Sequence, residues 1–122
     1  MLQKTVVVLG ASPKITRYSN QAVKALLHHN HKVLPVNPVV SRIHGQTCFQ
    51  NMTAIEEPVH TLTAYVGKKR SDDMIDSILA LNPQRIILNP GAENDRLQQK
   101  AEQAGIEVVQ GCTLVMLKTD QF

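Results

Sequence analysis

A doubly wound α/β fold, a single parallel sheet with helices on both faces, is the architecture this sequence predicts. Three observations carry the expectation. Short uninterrupted apolar runs, VVVL at 6–9 and IIL at 86–88, read as strands buried on both faces, as parallel strands are. Segments with helical spacing lie between such runs, so strand and helix alternate along the chain. The 122 residues suffice for one domain built on one sheet.

The first strand spans 6–9 and runs into Gly10. A polar turn leads to a helix over about 19–29, with Ser19 as the expected N-cap, Ala22, Val23, Leu26 and Leu27 on one face, and Asn30 as the stop. The second strand is 32–36. Pro35 removes a ladder donor from it, and Asn37-Pro38 turns the chain away. A loop over 39–45 carries Arg42, a short third strand is expected near 46–49, and a turn or single helical turn crosses 54–57.

The alternation over 61–66 makes the fourth strand, ended by Gly67. Ser71 is the expected N-cap of the next helix, with Asp72 and Asp73 in its first turn. Ile75, Ile78 and Leu79 face inward, and Asn82-Pro83 stops the helix. A strand over 85–88 enters Asn89-Pro90-Gly91, and a helix over about 94–104 ends at Gly105. The last strand is 106–109, and Gly111-Cys112 opens a short closing helix over 113–117. In a parallel sheet the strand ends Gly10, Asn37-Pro38, Gly67, Asn89-Pro90-Gly91 and Gly111 gather on one edge, where ligands of such sheets bind.

Composition narrows the function. Apolar content of 43% and charged content of 19% are those of a soluble globular chain. No apolar run approaches the roughly 20 residues of a membrane span, and MLQKT has no signal-peptide core, so no membrane role and a cytoplasmic location are expected. Two cysteines without metal spacing fit a reducing compartment. A net charge of +3 with few aromatics suits a small polyanion and excludes nucleic acid as the expected partner.

The turn Gly10, Ala11, Ser12, Pro13, Lys14, Ile15, Thr16, Arg17 is the main candidate site. A glycine turn between a buried parallel strand and a helix start presents free N–H groups, and the helix dipole adds positive charge, so the place suits a phosphate. Lys14 and Arg17 add two cations. The dinucleotide fingerprint GxGxxG is absent, and Asn37-Pro38 stands where a nicotinamide cofactor would want a ribose-binding acid. Tyr18 has two readings, a cover for a flat ligand and a half-buried packing residue.

The run Lys68-Lys69-Arg70 reads first as a solvated charge cluster, with one member aimed at the strand-end crevice as the alternative. Cys112 is either a reactive thiol at a helix start or a small packing residue. His28, His29 and His31 lack the carboxylate or cysteine that would complete a metal set. Glu93 and Asp95 read as helix-start acids, without a neighbour that would make an acid/base pair.

The segments GASPKITRYSNQA, VLPVNP, IILNPGAEN and GCTLVML, in that order and covering nearly the whole chain, resemble the small bacterial CoA-binding proteins. Those are similar to the Rossmann-like CoA-binding domain of the succinyl-CoA synthetase α subunit. The resemblance implies CoA held by the first glycine turn, here Gly10 to Ile15, by a basic residue after the second strand, here Arg42, and by Leu88, Asn89 and Pro90. Pro13 and Lys14 depart from the synthetase turn, which is richer in small residues. The synthetase's phosphohistidine lies in a second domain outside the match.

CoA carries a pyrophosphate and a ribose 3′-phosphate, which ask for backbone donors and separate cations. Lys14 and Arg17 would serve the first, and Arg42 or Lys68 the second. The cofactor-binding set expected is thus the turn through Tyr18 and Ser19, then Asn37, Pro38, Arg42, Gly67, Lys68, Leu88, Asn89, Pro90, Gly91 and Cys112. The function expected is non-catalytic binding of CoA or acyl-CoA, with a homodimer or a partner enzyme left open. The rival readings are a small NADP-dependent reductase, with Arg42 on the 2′-phosphate, and a degenerate nucleotide fold used for protein association.

Overall fold

The computed structural model describes residues 2–122. Five parallel strands form the sheet: β1 (Thr5–Leu9), β2 (Lys32–Val36), β5 (Thr61–Ala64), β6 (Arg85–Leu88) and β7 (Glu107–Gln110). The two-residue strands β3 (Arg42–Ile43) and β4 (Gln46–Thr47) make a separate antiparallel hairpin. The sheet order is β2-β1-β5-β6-β7. The chain therefore winds outward from β1 to β2, then crosses back to β5 and winds the other way. The switch between β1 and β5 opens a crevice beyond the carboxyl ends of the strands.

Side chains alternate across the pleat, so each strand feeds two cores. On one face Val6, Val8, Val33 and Ile87 pack with Val23 and Leu26 of α1 (Tyr18–His28) and Leu117 of α5 (Thr113–Lys118). On the other, Val7, Leu9, Leu62, Ile86 and Leu88 meet α3 (Ile75–Leu81) and α4 (Asp95–Gln103) through Ile78 and Leu97. Each such fully buried side chain contributes about 1.5–3 kcal/mol by leaving water.

Pro35 sits in the edge strand β2. Its carbonyl accepts from Phe49 N at 2.9 Å on the side away from β1, so its missing N–H removes nothing from the β1–β2 ladder. Asn30 and Asn82 end α1 and α3 in left-handed backbone, as stops should.

Two capping expectations are corrected. Helix α1 begins at Tyr18 with Arg17 in the cap position, so Ser19 lies inside the first turn, buried, and caps nothing. Helical structure likewise begins earlier than expected in the second half, at α2 (Lys68–Ser71), which passes through a 3-10 turn, Asp72–Met74, into α3. Gly67 takes the cap position, and Ser71 Oγ instead accepts from Asn94 Nδ2 at 2.8 Å. Asn94 caps α4, its Oδ1 accepting from Leu97 N at 3.0 Å. Short strands came out shifted or trimmed: the fourth stops at Ala64, and the last is Glu107–Gln110.

Candidate functional site

Gly10 adopts φ +82° directly after β1, which an L side chain would oppose, and this turns the chain across the carboxyl edge of the sheet. Two amides from flanking elements then fix the turn. Asn37, at the end of β2, donates from Nδ2 to Ala11 O at 2.8 Å and accepts the N–H groups of Val39 and Val40 on its Oδ1. Asn20 of α1 donates from Nδ2 to Ser12 O at 2.8 Å. The Ala11 and Ser12 carbonyls are thereby engaged by donors. The first-turn N–H groups of α1 have no partner inside the helix and sit beside this turn. Lys14 N donates to Ser12 Oγ at 3.1 Å, and Arg17 N to Lys14 O at 3.0 Å, which keeps residues 12–17 tight.

A crevice of about 480 Å³ opens over this turn. Of the expected residues, Gly10, Ala11, Ser12, Lys14, Arg17, Tyr18, Ser19, Asn37, Pro38 and Pro90 line it together. Lys14, Arg17 and Arg70 give it three cations, and no Asp, Glu, His or Cys is in the lining. Tyr18 is 71% exposed and stands at the rim, which removes the packing alternative. Such a site can hold a small polyanion through N–H groups and mobile cations.

Other expected residues lie elsewhere. Pro13 is exposed outside the crevice lining, and Ile15 turns toward a groove between α1 and α5. Arg42 is exposed on the β3–β4 hairpin and does not line the crevice. Lys68 is paired with Asp72 at 2.8 Å, and Arg70, two residues on, faces the crevice in its place. That ion pair and a second bond from Asn94 hold the Asp72 carboxyl below its usual range. Gly67 and Gly91 sit close to each other beside the crevice without lining it, the position of a Gly67 Cβ being 3.9 Å from Gly91 O.

Leu88 is fully buried in the core. Asn89 is 2% exposed and fully engaged: Nδ2 donates to Thr63 Oγ1 at 2.7 Å and Ala64 O at 2.9 Å, and Oδ1 accepts from Thr113 N at 2.9 Å. Its side chain therefore joins β5, β6 and α5 and has nothing left to offer a ligand. Cys112 is a half-buried free thiol at the cap position of α5, outside the crevice lining.

Three residues of the site had escaped the sequence reading. Tyr65 lines the crevice, with its phenol tip buried near the Thr63 and Thr113 hydroxyls, which bond each other at 2.7 Å. Burial pushes that phenol up to about 12, and the two threonines offset part of the push. The sequence signal available was its place at the end of β5, on the ligand edge. Asn20 and His44, whose Nε2 lies 2.7 Å from Asn20 Oδ1 outside the crevice lining, carried no signal, since a helix amide and a loop histidine have many ordinary uses.

Among the described residues, no helix is long and apolar enough to cross a membrane, and no group of three or more His, Cys, Asp or Glu is placed to hold a metal. A crystal structure of an uncharacterized protein is 37% identical, with all of both chains covered and a TM-score of 0.94. The cell-free ID.343 protein from Thermus thermophilus is 28% identical over 98% of this chain and 91% of its own, with a TM-score of 0.90. A dinucleotide-forming acetyl-coenzyme A synthetase from Ca. Korarchaeum cryptofilum shares the fold at 19% identity and a TM-score of 0.76, over 88% of this chain and 25% of the synthetase. The CoA binding domain model matches residues 4–118, almost the full length, and the chain belongs to that CoA-binding domain family.

Proposed function

We propose that this protein binds CoA or an acyl-CoA by its phosphates in the strand-end crevice and carries out no chemistry on it alone. The observation that carries the reading is the turn at Gly10, with two carbonyls tied back by Asn20 and Asn37 and the cations Lys14, Arg17 and Arg70 around it. The lining supports the non-catalytic part. It offers no carboxylate, imidazole or thiol for acid/base or nucleophilic work, and Tyr65 stays neutral across the physiological range. Any thioester chemistry belongs to a partner. Two free cysteines fit work in a reducing cytoplasm.

Calorimetric titration tests the reading, with CoA expected to bind more tightly than dephospho-CoA and NAD to bind weakest. Asn37 at the end of β2 gives the NAD ribose no acid to bond. NADPH binding more tightly than CoA, with hydride transfer to a carbonyl, would overturn it. Mass spectrometry of natively purified protein provides the companion observation, retained CoA being the expected ligand.

A further inference from the structure

The hairpin Arg42–Ile43/Gln46–Thr47 closes through His44 and Gly45, both in left-handed backbone at φ +47° and +77°. Two-residue turns of this kind favour Asn-Gly or Asp-Gly, because those side chains tolerate the conformation. Histidine fits less well there, so its side chain is worth following. Its Nε2 meets Asn20 Oδ1 at 2.7 Å. The other end of the same amide, Nδ2, meets Ser12 O at 2.8 Å.

Ser12 O can only accept, so the Asn20 amide must turn Nδ2 toward it and Oδ1 toward His44. The imidazole nitrogen facing Oδ1 must then be the donor, which places the neutral ring's proton on Nε2. The relay ends at a sensitive point. The peptide between Ser12 and Pro13 has no N–H, so all it can present to an anion is its carbonyl oxygen. Turned toward Asn20 that oxygen is harmless. Turned into the crevice it would repel phosphate.

We propose that His44 is a positioning residue for the phosphate turn: by holding Oδ1 of Asn20 it fixes the amide that keeps the Ser12 carbonyl out of the crevice. Its target is the CoA pyrophosphate, and to that extent the inference rests on the function proposed above. The relay itself exists in the ligand-free protein and is tested there separately.

The decisive variant is His44→Asn. Asparagine is the better turn residue, so the hairpin keeps its stability, but its amide is too short to reach Asn20. A purely structural role for His44 would leave binding unchanged. The positioning role predicts an unchanged or raised melting temperature with CoA binding about three- to tenfold weaker, while His44→Gln, whose Nε2 reaches as far as the imidazole's, stays within about twofold of wild type. Wild-type affinity in His44→Asn, or equal losses in both variants, would overturn the proposal.

Two measurements need no ligand. Long-range ¹H–¹⁵N spectra should show the His44 proton on Nε2, and amide exchange across 14–17 should speed up in His44→Asn. A proton on Nδ1, or unchanged exchange, would overturn the relay. Failure of wild-type protein to bind CoA would overturn the proposed function, while the relay would still stand or fall on these two readouts.

Discussion

Gly10→Ala places a methyl group where the fold leaves no room for one, and its cost has two separable parts. The backbone stays at φ +82°, where a side chain costs about 1–2 kcal/mol. The new Cβ would also stand 2.8 Å from Val66 Cγ1 and 3.3 Å from the Tyr65 carbonyl. Val66 is 2% exposed and has nowhere to retreat, so overpacking adds about 1–3 kcal/mol. A total of about 2–5 kcal/mol should lower the melting temperature by roughly 10–20 °C for a domain of this size. Circular dichroism melts and urea titrations would measure it.

Gly91→Ala is the natural control, because Gly91 has φ +93° but nothing within 4 Å of an added Cβ. It should cost only the conformational part, about 1–2 kcal/mol. Adding Val66→Ala to Gly10→Ala removes the collision and leaves the strained φ. The double mutant should therefore be about 1–2 kcal/mol more stable than the sum of the single effects. Additivity within about 0.5 kcal/mol, or equal losses for Gly10→Ala and Gly91→Ala, would refute the steric account.

Arg70→Ala should weaken CoA binding by about 1.5–3 kcal/mol, near ten- to a hundredfold, while Lys68→Ala leaves calorimetric affinity close to wild type because Lys68 is spent on Asp72. Asn89→Ala strands the Thr113 N–H and removes one donor each from Thr63 Oγ1, which keeps the Thr113 hydroxyl, and Ala64 O, which keeps the residue-89 backbone N–H. A urea titration should show a loss of about 1–3 kcal/mol. A loss under about 0.5 kcal/mol would mean that water replaces the amide. Tyr65 ionises near 10 when unfolded and near 12 in the fold, so its neutral form stabilises the protein fully below pH 10, and this contribution is lost as the pH rises through 12. Tyr65→Phe should abolish that part of the alkaline loss, and should cost little at pH 7, since the buried hydroxyl has no well-aligned partner among the described residues.

The layout of the fold was legible because its signals are local. Apolar runs gave β1, β2 and β6 almost to the residue, and left-handed Asn30 and Asn82 stand where helix stops were read. The β3–β4 hairpin was only half legible. Two-residue strands have no periodicity, and a His-Gly turn lacks the asparagine that would have marked it. At the site, the glycine turn was readable because its chemistry lies in consecutive residues. The choice of Arg70 over Lys68 was not, since it depends on where α2 starts and so on which way each member of a charged run points. Asn89 shows the opposite difficulty. It stands in the right loop for a ligand, yet three buried groups from β5 and α5 claim its side chain, and only the tertiary structure reveals them.

The proline in β2 also decides how this sheet meets other chains. A parallel sheet ordinarily presents two open borders to which a stray strand could add. Over the C-terminal half of β2 the outward-facing groups are already taken: Pro35 has no N–H, its carbonyl is held by Phe49 N, and Asn37 N is held by Phe49 O. That half of the border is closed to strand addition. At β7, Glu107 N and Gly111 N donate inward to Gln84 and Leu88, which leaves only Val108 and Gln110 aimed outward. Two residues make a poor template for a foreign strand. The molecule thus keeps the open stretches of its sheet borders short, which guards a small chain against the sheet-to-sheet growth that leads to fibrils.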